Sequence, residues 1–244
     1  MQTLLQGVLA CALAYLLGSV SPAWFAGRAR GLDLRFEGEE TLDGENAWRV
    51  LGRGPGALVF AADLLKGQVA VGLAYLLGGP PLALALAGLG VTAGHIWPLF
   101  HGGAGGRGLA PAAGVLLAAS PWTLAISATL FALLASLTGR LAHAELFAIA
   151  LMPGAAVLAG RGDVPLMLLA IGLAGMLIWA RWGLVEVLIQ RMTSFEKCAI
   201  GHLKTKIWPL VVALSLRCNV KRKRFEHTPF KTLESWIISP KMGM

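Results

Sequence analysis

The chain has 244 residues, of which 56% are apolar and 14% charged, whereas an ordinary soluble domain has about 25% charged residues, so its composition excludes an ordinary soluble enzyme. The formal net charge of +8 does not indicate a nucleic-acid partner, because residues 1–182 hold ten Lys and Arg against nine Asp and Glu while residues 183–244 hold eleven against four. Cys11, Cys198 and Cys218 share no CxxC or metal-ligand spacing, and no metal site is expected.

Apolar segments long enough to cross about 30 Å of hydrocarbon as helices follow one another along the chain. The first covers about residues 4–26 without a charge, the second about 54–77 with Asp63 and Lys66 inside, and the third about 81–99. Residues 109–138 are too long for one simple span and are interrupted by Ser120 and Pro121, so two short helices are predicted there. Two more segments, about 143–159 and 163–180, are separated by a turn at Gly160 and Gly162.

The expected architecture is therefore an all-α polytopic membrane protein with about seven transmembrane helices. Basic residues stay on the cytoplasmic side, and Arg28, Arg30, Arg35, Arg49, Arg53, Arg107, Arg140 and Arg181 fall in alternate connections, with Arg161 opposing. That pattern puts the N-terminus outside and the C-terminus inside. The first apolar run lacks a preceding basic residue, so it reads as an uncleaved span. Cys11 follows Leu9 and Ala10 as at a lipoprotein processing site, but without a positive region it reads as a buried cysteine.

Residues 1–182 are expected to form one integral membrane domain and residues 183–244 a basic cytoplasmic tail. Arg dominates the first part and Lys the second, and Gly and Ala become scarce in the tail. Within the tail, the apolar stretch 208–216 is too short for an ordinary span; it is expected at the interface, with Lys221, Arg222, Lys223 and Arg224 drawn to anionic lipid.

Three groups of residues could carry chemistry. The first connection holds Asp33, Arg35, Glu37, Glu39, Glu40, Asp43, Glu45, Arg49 and Arg53. Its fixed acids repel phosphate, while Asn46, Arg49 and Arg53 could donate to it from one helical face. Asp63 and Lys66, three apart in an apolar helix, need each other or a polar cavity. They read either as a structural pair or as a substrate site, with Lys66 on an anion and Asp63 orienting neighbouring donors. The third group is Gly94, His95, Ile96, Trp97, Pro98 and then Gly102, Gly103, Ala104, Gly105, Gly106, Arg107, Gly108. Here repeated glycine lets amides approach an anion, Arg107 adds charge, and His95 could donate or transfer a proton.

The order of these pieces resembles the bacterial membrane glycerol-3-phosphate acyltransferase family that uses acyl phosphate as donor. The resemblance rests on Tyr15 to Ser19, Asn46 to Gly52, Val59 to Gly67, and most sharply Gly94 to Phe100 with Gly105 to Gly108. It implies seven spans in the cytoplasmic membrane and acyl transfer from acyl phosphate to the first hydroxyl of sn-glycerol 3-phosphate, yielding lysophosphatidic acid and phosphate for phospholipid biosynthesis. Neither acyl-CoA nor a metal or other cofactor is implied, and no nucleic acid partner is expected. By carry-over, His95 and Asn46 become catalytic candidates, Arg49, Lys66, Gly105, Gly106 and Arg107 phosphate ligands, and Asp63 an orienting residue. The chain departs from the family pattern where a Ser-Gly-Asn-x-Gly loop reads Glu39, Glu40, Thr41, Leu42, Asp43. Ala104 replaces the first lysine of the glycine-rich region and Arg107 the second. Arg140, Leu141, Ala142, His143 replace a serine-rich region, and Trp182 a histidine. Alternatives are a catalytically altered or inactive membrane relative acting as a lipid or phosphate binder or scaffold, and a small membrane transporter.

Overall fold

The computed structural model describes residues 2–160 and 162–186, with side chains from Leu5 onward. The interfacial stretch at 208–216, the basic run Lys221 to Arg224 and Arg161 lie outside these residues.

Among the described residues the regular elements are helices: α1 (Gln2–Ser19), α2 (Pro22–Arg28), α3 (Gly44–Leu51), α4 (Arg53–Leu76), α5 (Pro81–Ile96), α6 (Leu109–Ala119), α7 (Pro121–Thr138), α8 (Leu141–Gly160) and α9 (Val164–Trp179), with a short 3₁₀ turn at Leu99–His101. All seven predicted apolar segments are helical. Five stretches, Leu5–Arg28, α4, Pro81–His101, α7 and α8, are long and apolar enough to cross a membrane, while α6 and α9 are shorter. At about 1.5 Å per residue α6 rises only about 16 Å, roughly half the hydrocarbon thickness.

The predicted first span is a broken helix. Proline disfavours helical geometry in the residue before it, so α1 stops at Ser19 and α2 restarts at Pro22, with Ser21 Oγ accepting from the Trp24 amide at 3.2 Å. The break predicted in 109–138 is present for a related reason: Ser120 ends α6 and caps α7, accepting from the Thr123 amide at 3.4 Å before Pro121.

Helix α5 is the centre of the bundle, packed against α1, α4, α6 and α9. Val91 of α5, Val115 of α6 and Leu169, Leu173 and Leu177 of α9 are fully buried in one apolar core. The α1–α5 contact depends on missing side chains. Gly90 and Gly94 are four apart on α5, the small-residue spacing that lets membrane helices approach closely. A Cβ on Gly94 would overlap the Tyr15 carbonyl oxygen, and one on Gly18 the Val91 carbonyl oxygen. Cys11, expected to be buried, is half-buried against Gly90 in the same seam. By contrast α7 buries only Thr123 and exposes Trp122, Leu133 and Leu137, a face suited to lipid.

A second, smaller core of Ala23, Leu34, Leu42, Ala47, Leu51 and Val59 lies beneath the charged connection between α2 and α4. It roots that connection against the bundle and so positions the site described below.

Gly94→Val should force α1 and α5 apart. The expected loss is about 3 kcal/mol, in the overpacking range, read as a lowered Tm in detergent; an unchanged Tm would contradict this packing.

Candidate functional site

The site is assembled where the α2–α4 connection meets the glycine-rich loop after α5. Leu42 donates its amide to the Gly105 carbonyl at 3.0 Å, and Gly106 donates to the His95 carbonyl at 3.1 Å. A Cβ on Gly106 would overlap His95 Nε2 and lie 2.8 Å from Asp43 Cβ, so only glycine lets the three segments meet.

Asp43 caps α3 by accepting from the Asn46 amide at 3.0 Å. The same carboxylate accepts from the Arg107 amide at 3.3 Å, Arg107 Nε at 2.8 Å and Arg107 Nη2 at 3.0 Å. Burial raises its pKa, but the Arg107 hydrogen bonds and charge overcome that and hold it down at about 2. Burial works against the Arg107 cation, and Asp43, Glu45 and Glu39 together keep its pKa above the ordinary guanidinium value. The Arg107 amide, which the glycine-rich pattern offered to an external anion, is therefore directed at an internal one.

Two further glutamates complete the cluster. Glu39 Oε2 is 2.7 Å from Arg107 Nη1 and Glu39 Oε1 is 2.9 Å from Arg49 Nη1. Glu45 Oε2 is 3.0 Å from Arg107 Nη2 and Glu45 Oε1 is 2.8 Å from Arg49 Nη2. The two arginines and two glutamates form a closed ring. Beside Glu39, Glu40 has a φ of 58°, the only positive φ outside glycine among the described residues, at a position where the family pattern reads glycine.

This ring lines one end of a cavity of about 730 Å³ whose other walls include Leu124, Ser127, Phe131, Ala148 and Ile149 of α7 and α8. Arg181, just beyond α9, donates to the Arg107 carbonyl at 3.1 Å and pairs with Glu145 of α8 inside that cavity. A smaller cavity of about 70 Å³ brings His95 together with Asp43, Glu45, Arg107 and Arg181.

Behind the loops lies a buried trio in the bundle. Lys66 Nζ is 2.7 Å from Asp63 Oδ1 and 2.8 Å from His95 Nδ1, and donates to the carbonyls of Gly18 at 3.1 Å and Val20 at 3.3 Å. Those carbonyls are exposed by the break between α1 and α2, where the last carbonyls of a helix lack partners. Asp63 is fully buried; its Oδ1 is 2.7 Å from Lys66 Nζ and 3.4 Å from His95 Nδ1, and neither oxygen has a well-directed hydrogen bond among the described residues. An ammonium has only donors, so a charged Lys66 matches the His95 tautomer that leaves Nδ1 free to accept and carries its proton on Nε2.

The structure thus brings Arg49, Arg107 and His95 to the two cavities and places Asp63 and Lys66 behind His95. Gly105 and Gly106 spend a carbonyl and an amide on the loop contacts. Asn46 is fully buried behind the α2–α3 loop. Its Nδ2 is 3.1, 3.0 and 2.9 Å from the carbonyls of Leu34, Glu37 and Thr41, and its Oδ1 accepts from the Glu39 amide at 2.8 Å. The single helical face expected for Asn46, Arg49 and Arg53 is not present, because Gly52, with φ 95°, ends α3 and Arg53 begins α4. Sequence reasoning passed over Glu145 and Arg181. Glu145 carried the signal that singled out Asp63, a lone charge in an apolar segment, whereas Arg181 looked like an ordinary flanking cation. Among the described residues no three His, Cys, Asp or Glu side chains converge as a metal set.

The family model described as "Glycerol-3-phosphate acyltransferase" matches residues 8–191. The "Glycerol-3-phosphate acyltransferase 2" of Deinococcus radiodurans is 44% identical over 119 residues, which is 48% of this chain and 60% of that protein. The glycerol-3-phosphate acyltransferase of Geobacter sulfurreducens is 34% identical over 150 residues, 62% of this chain and 77% of that one. The crystal structure of PlsY (YgiH), an integral membrane glycerol 3-phosphate acyltransferase in its glycerol 3-phosphate form, superposes with a TM-score of 0.68 at 28% identity, covering 75% of this chain and 92% of that one. The lysophosphatidic acid form gives 0.67 at 26% identity, with the same coverage. The chain spans about 60% of the length of several curated relatives, the Deinococcus protein among them.

Asp43→Ala removes the α3 cap and strips Arg107 of its bidentate partner, at an expected cost of about 3 kcal/mol. Because the folded pKa is depressed, the Asp43 contribution is complete above the unfolded value of about 4 and is lost as pH falls through about 2. Thermal unfolding between pH 5 and pH 2, as rough limits around those values, should show a steeper loss of Tm in the wild type than in Asp43→Ala; parallel curves would contradict the clamp.

Proposed function

The chain belongs to the glycerol-3-phosphate acyltransferase family, and on that premise we propose that it transfers a fatty acyl group from acyl phosphate to the first hydroxyl of sn-glycerol 3-phosphate. The products are lysophosphatidic acid and phosphate, and the setting is phospholipid synthesis at the cytoplasmic membrane. The observation that carries this reading is the meeting of Arg49 and Arg107 at one end of an amphiphile-sized cavity that also contains the Arg181–Glu145 pair and is otherwise lined mostly by apolar side chains of α7 and α8. Guanidinium forks suit phosphate oxygens, and the α7–α8 wall suits an acyl chain.

In the reaction the substrate hydroxyl oxygen bonds to the acyl carbon, the bond from that carbon to the phosphate oxygen breaks, and the hydroxyl proton leaves on the departing phosphate. Arg107 and Arg49 orient the phosphates and offset their charge. His95, with its proton on Nε2, donates into the small cavity where charge develops. Lys66 and Asp63 act through His95: their contacts hold its ring and tautomer. Asn46 holds the loop that carries Glu39. Residues 183–244 are read as a basic tail attached to this membrane domain.

One observation favours a second reading, a phosphate or lipid binder without turnover. The guanidinium groups of Arg107 and Arg49 are already occupied by Glu39, Asp43 and Glu45, and a substrate phosphate must displace carboxylates to reach them.

Purified protein supplied with acyl phosphate and glycerol 3-phosphate should form lysophosphatidic acid. Arg107→Ala should lower kcat/KM by about 100-fold or more, the scale of losing a charge-stabilising donor. Well-folded wild type that forms no product would sink the acyltransferase reading and leave the binder.

A further inference from the structure

We propose that Glu39 and Glu45 determine which acceptor this site takes, favouring a phosphate monoester that also carries an ammonium group over a plain polyol phosphate. The inference rests on reading the large cavity as the acceptor's site, and it concerns the polar end of that cavity alone.

The ring geometry resembles a bound anion. Each glutamate spans the two arginines with one oxygen on each guanidinium: Glu39 at 2.7 and 2.9 Å, Glu45 at 3.0 and 2.8 Å. A phosphate bridging Arg49 and Arg107 would use the same donors. Asp43 takes Arg107 Nε and shares Nη2, so of the five N–H groups of a guanidinium Arg107 has only one that these carboxylates do not claim. An arriving phosphate therefore competes with carboxylates of this same chain.

Charge balance then selects the ligand. The carboxylates of Glu39, Asp43 and Glu45 face the guanidinium groups of Arg49 and Arg107, an excess of one negative charge in the ring before any ligand enters. A dianionic phosphate deepens the excess and frees carboxylates that have no other cation among these groups. An ammonium on the same ligand reduces the excess and brings three donors to the freed oxygens. Glu39 and Glu45 are suited to that exchange, because their side chains are 30% and 49% exposed and can turn without opening the core. Asp43 is different, being buried and tied to the α3 cap. The pocket also holds Ser127, whose hydroxyl has no hydrogen-bond partner among the described residues, a further polar group left for a ligand.

The test is equilibrium binding by calorimetry to the purified full chain in detergent, with glycerol 3-phosphate and 2-amino-3-hydroxypropyl phosphate as probes. The wild type should bind the amino compound about tenfold more tightly, the scale of one added charge-assisted contact. The double variant Glu39→Gln, Glu45→Gln should lose that preference and bind glycerol 3-phosphate about tenfold more tightly than the wild type does. Glu39→Asp with Glu45→Asp, which keeps both charges, should keep the preference, separating charge from packing. Equal or weaker wild-type binding of the amino compound, or an unchanged ratio in the Gln variant, overturns the proposal. Because binding is read without turnover, a preference that behaves as stated in a protein that transfers no acyl group would sink the acyltransferase reading alone. Acyl transfer accompanied by an unaltered ratio would sink the specificity proposal alone.

Discussion

The clamp between Asp43 and Arg107 is the contact on which the site depends. One carboxylate receives four N–H groups, from the start of α3, from the backbone of Arg107 and from its side chain. Each is charge-assisted and therefore stronger than a neutral hydrogen bond. Through them the α2–α4 connection and the glycine-rich loop, 64 residues apart, become one surface. The arginine is held in a defined orientation, from which its side chain meets Glu39 and Glu45 and its carbonyl oxygen accepts from Arg181.

The clamp also gives the site its ambiguity. The family pattern that the sequence resembles has glycine where this chain has Glu40 and Asp43. Here Asp43 sets a carboxylate against Arg107, while Glu40 takes a left-handed backbone conformation that glycine adopts without strain. Cationic groups that suit phosphate are retained, and the carboxylates that oppose it stand between them. A ligand must therefore offer more than negative charge, and this is why the identity of its remaining polar groups matters.

Below this surface, Lys66 unites two readings that seemed opposed. A charged side chain in an apolar helix is costly unless partnered, and Lys66 has partners on every side: Asp63, two carbonyls from the broken first span, and His95. It is a structural ion pair, and by the same set of contacts it touches Nδ1 of the histidine that lines the small cavity. The proline that interrupts the first apolar run is thus connected to the site by two carbonyl oxygens.

The sequence by itself determined the helical membrane class, the family, the break at Pro121, and the candidate cations Arg49, Lys66 and Arg107. These are legible because hydropathy, proline and unusual intramembrane charge act over a few neighbouring residues. Even there the structure revised the detail, breaking the first span ahead of Pro22 and ending α3 at Gly52 ahead of Arg53. Only the tertiary structure decided that Asn46 lies behind its loop, that Lys66 reaches His95, and that Glu39 and Glu45 close a ring on two arginines. It alone joined Glu145 of α8 to Arg181 beyond α9. These pairings cross long stretches of chain, and whether an acid repels a substrate or neutralises a neighbouring arginine depends on distances that the order of residues does not contain.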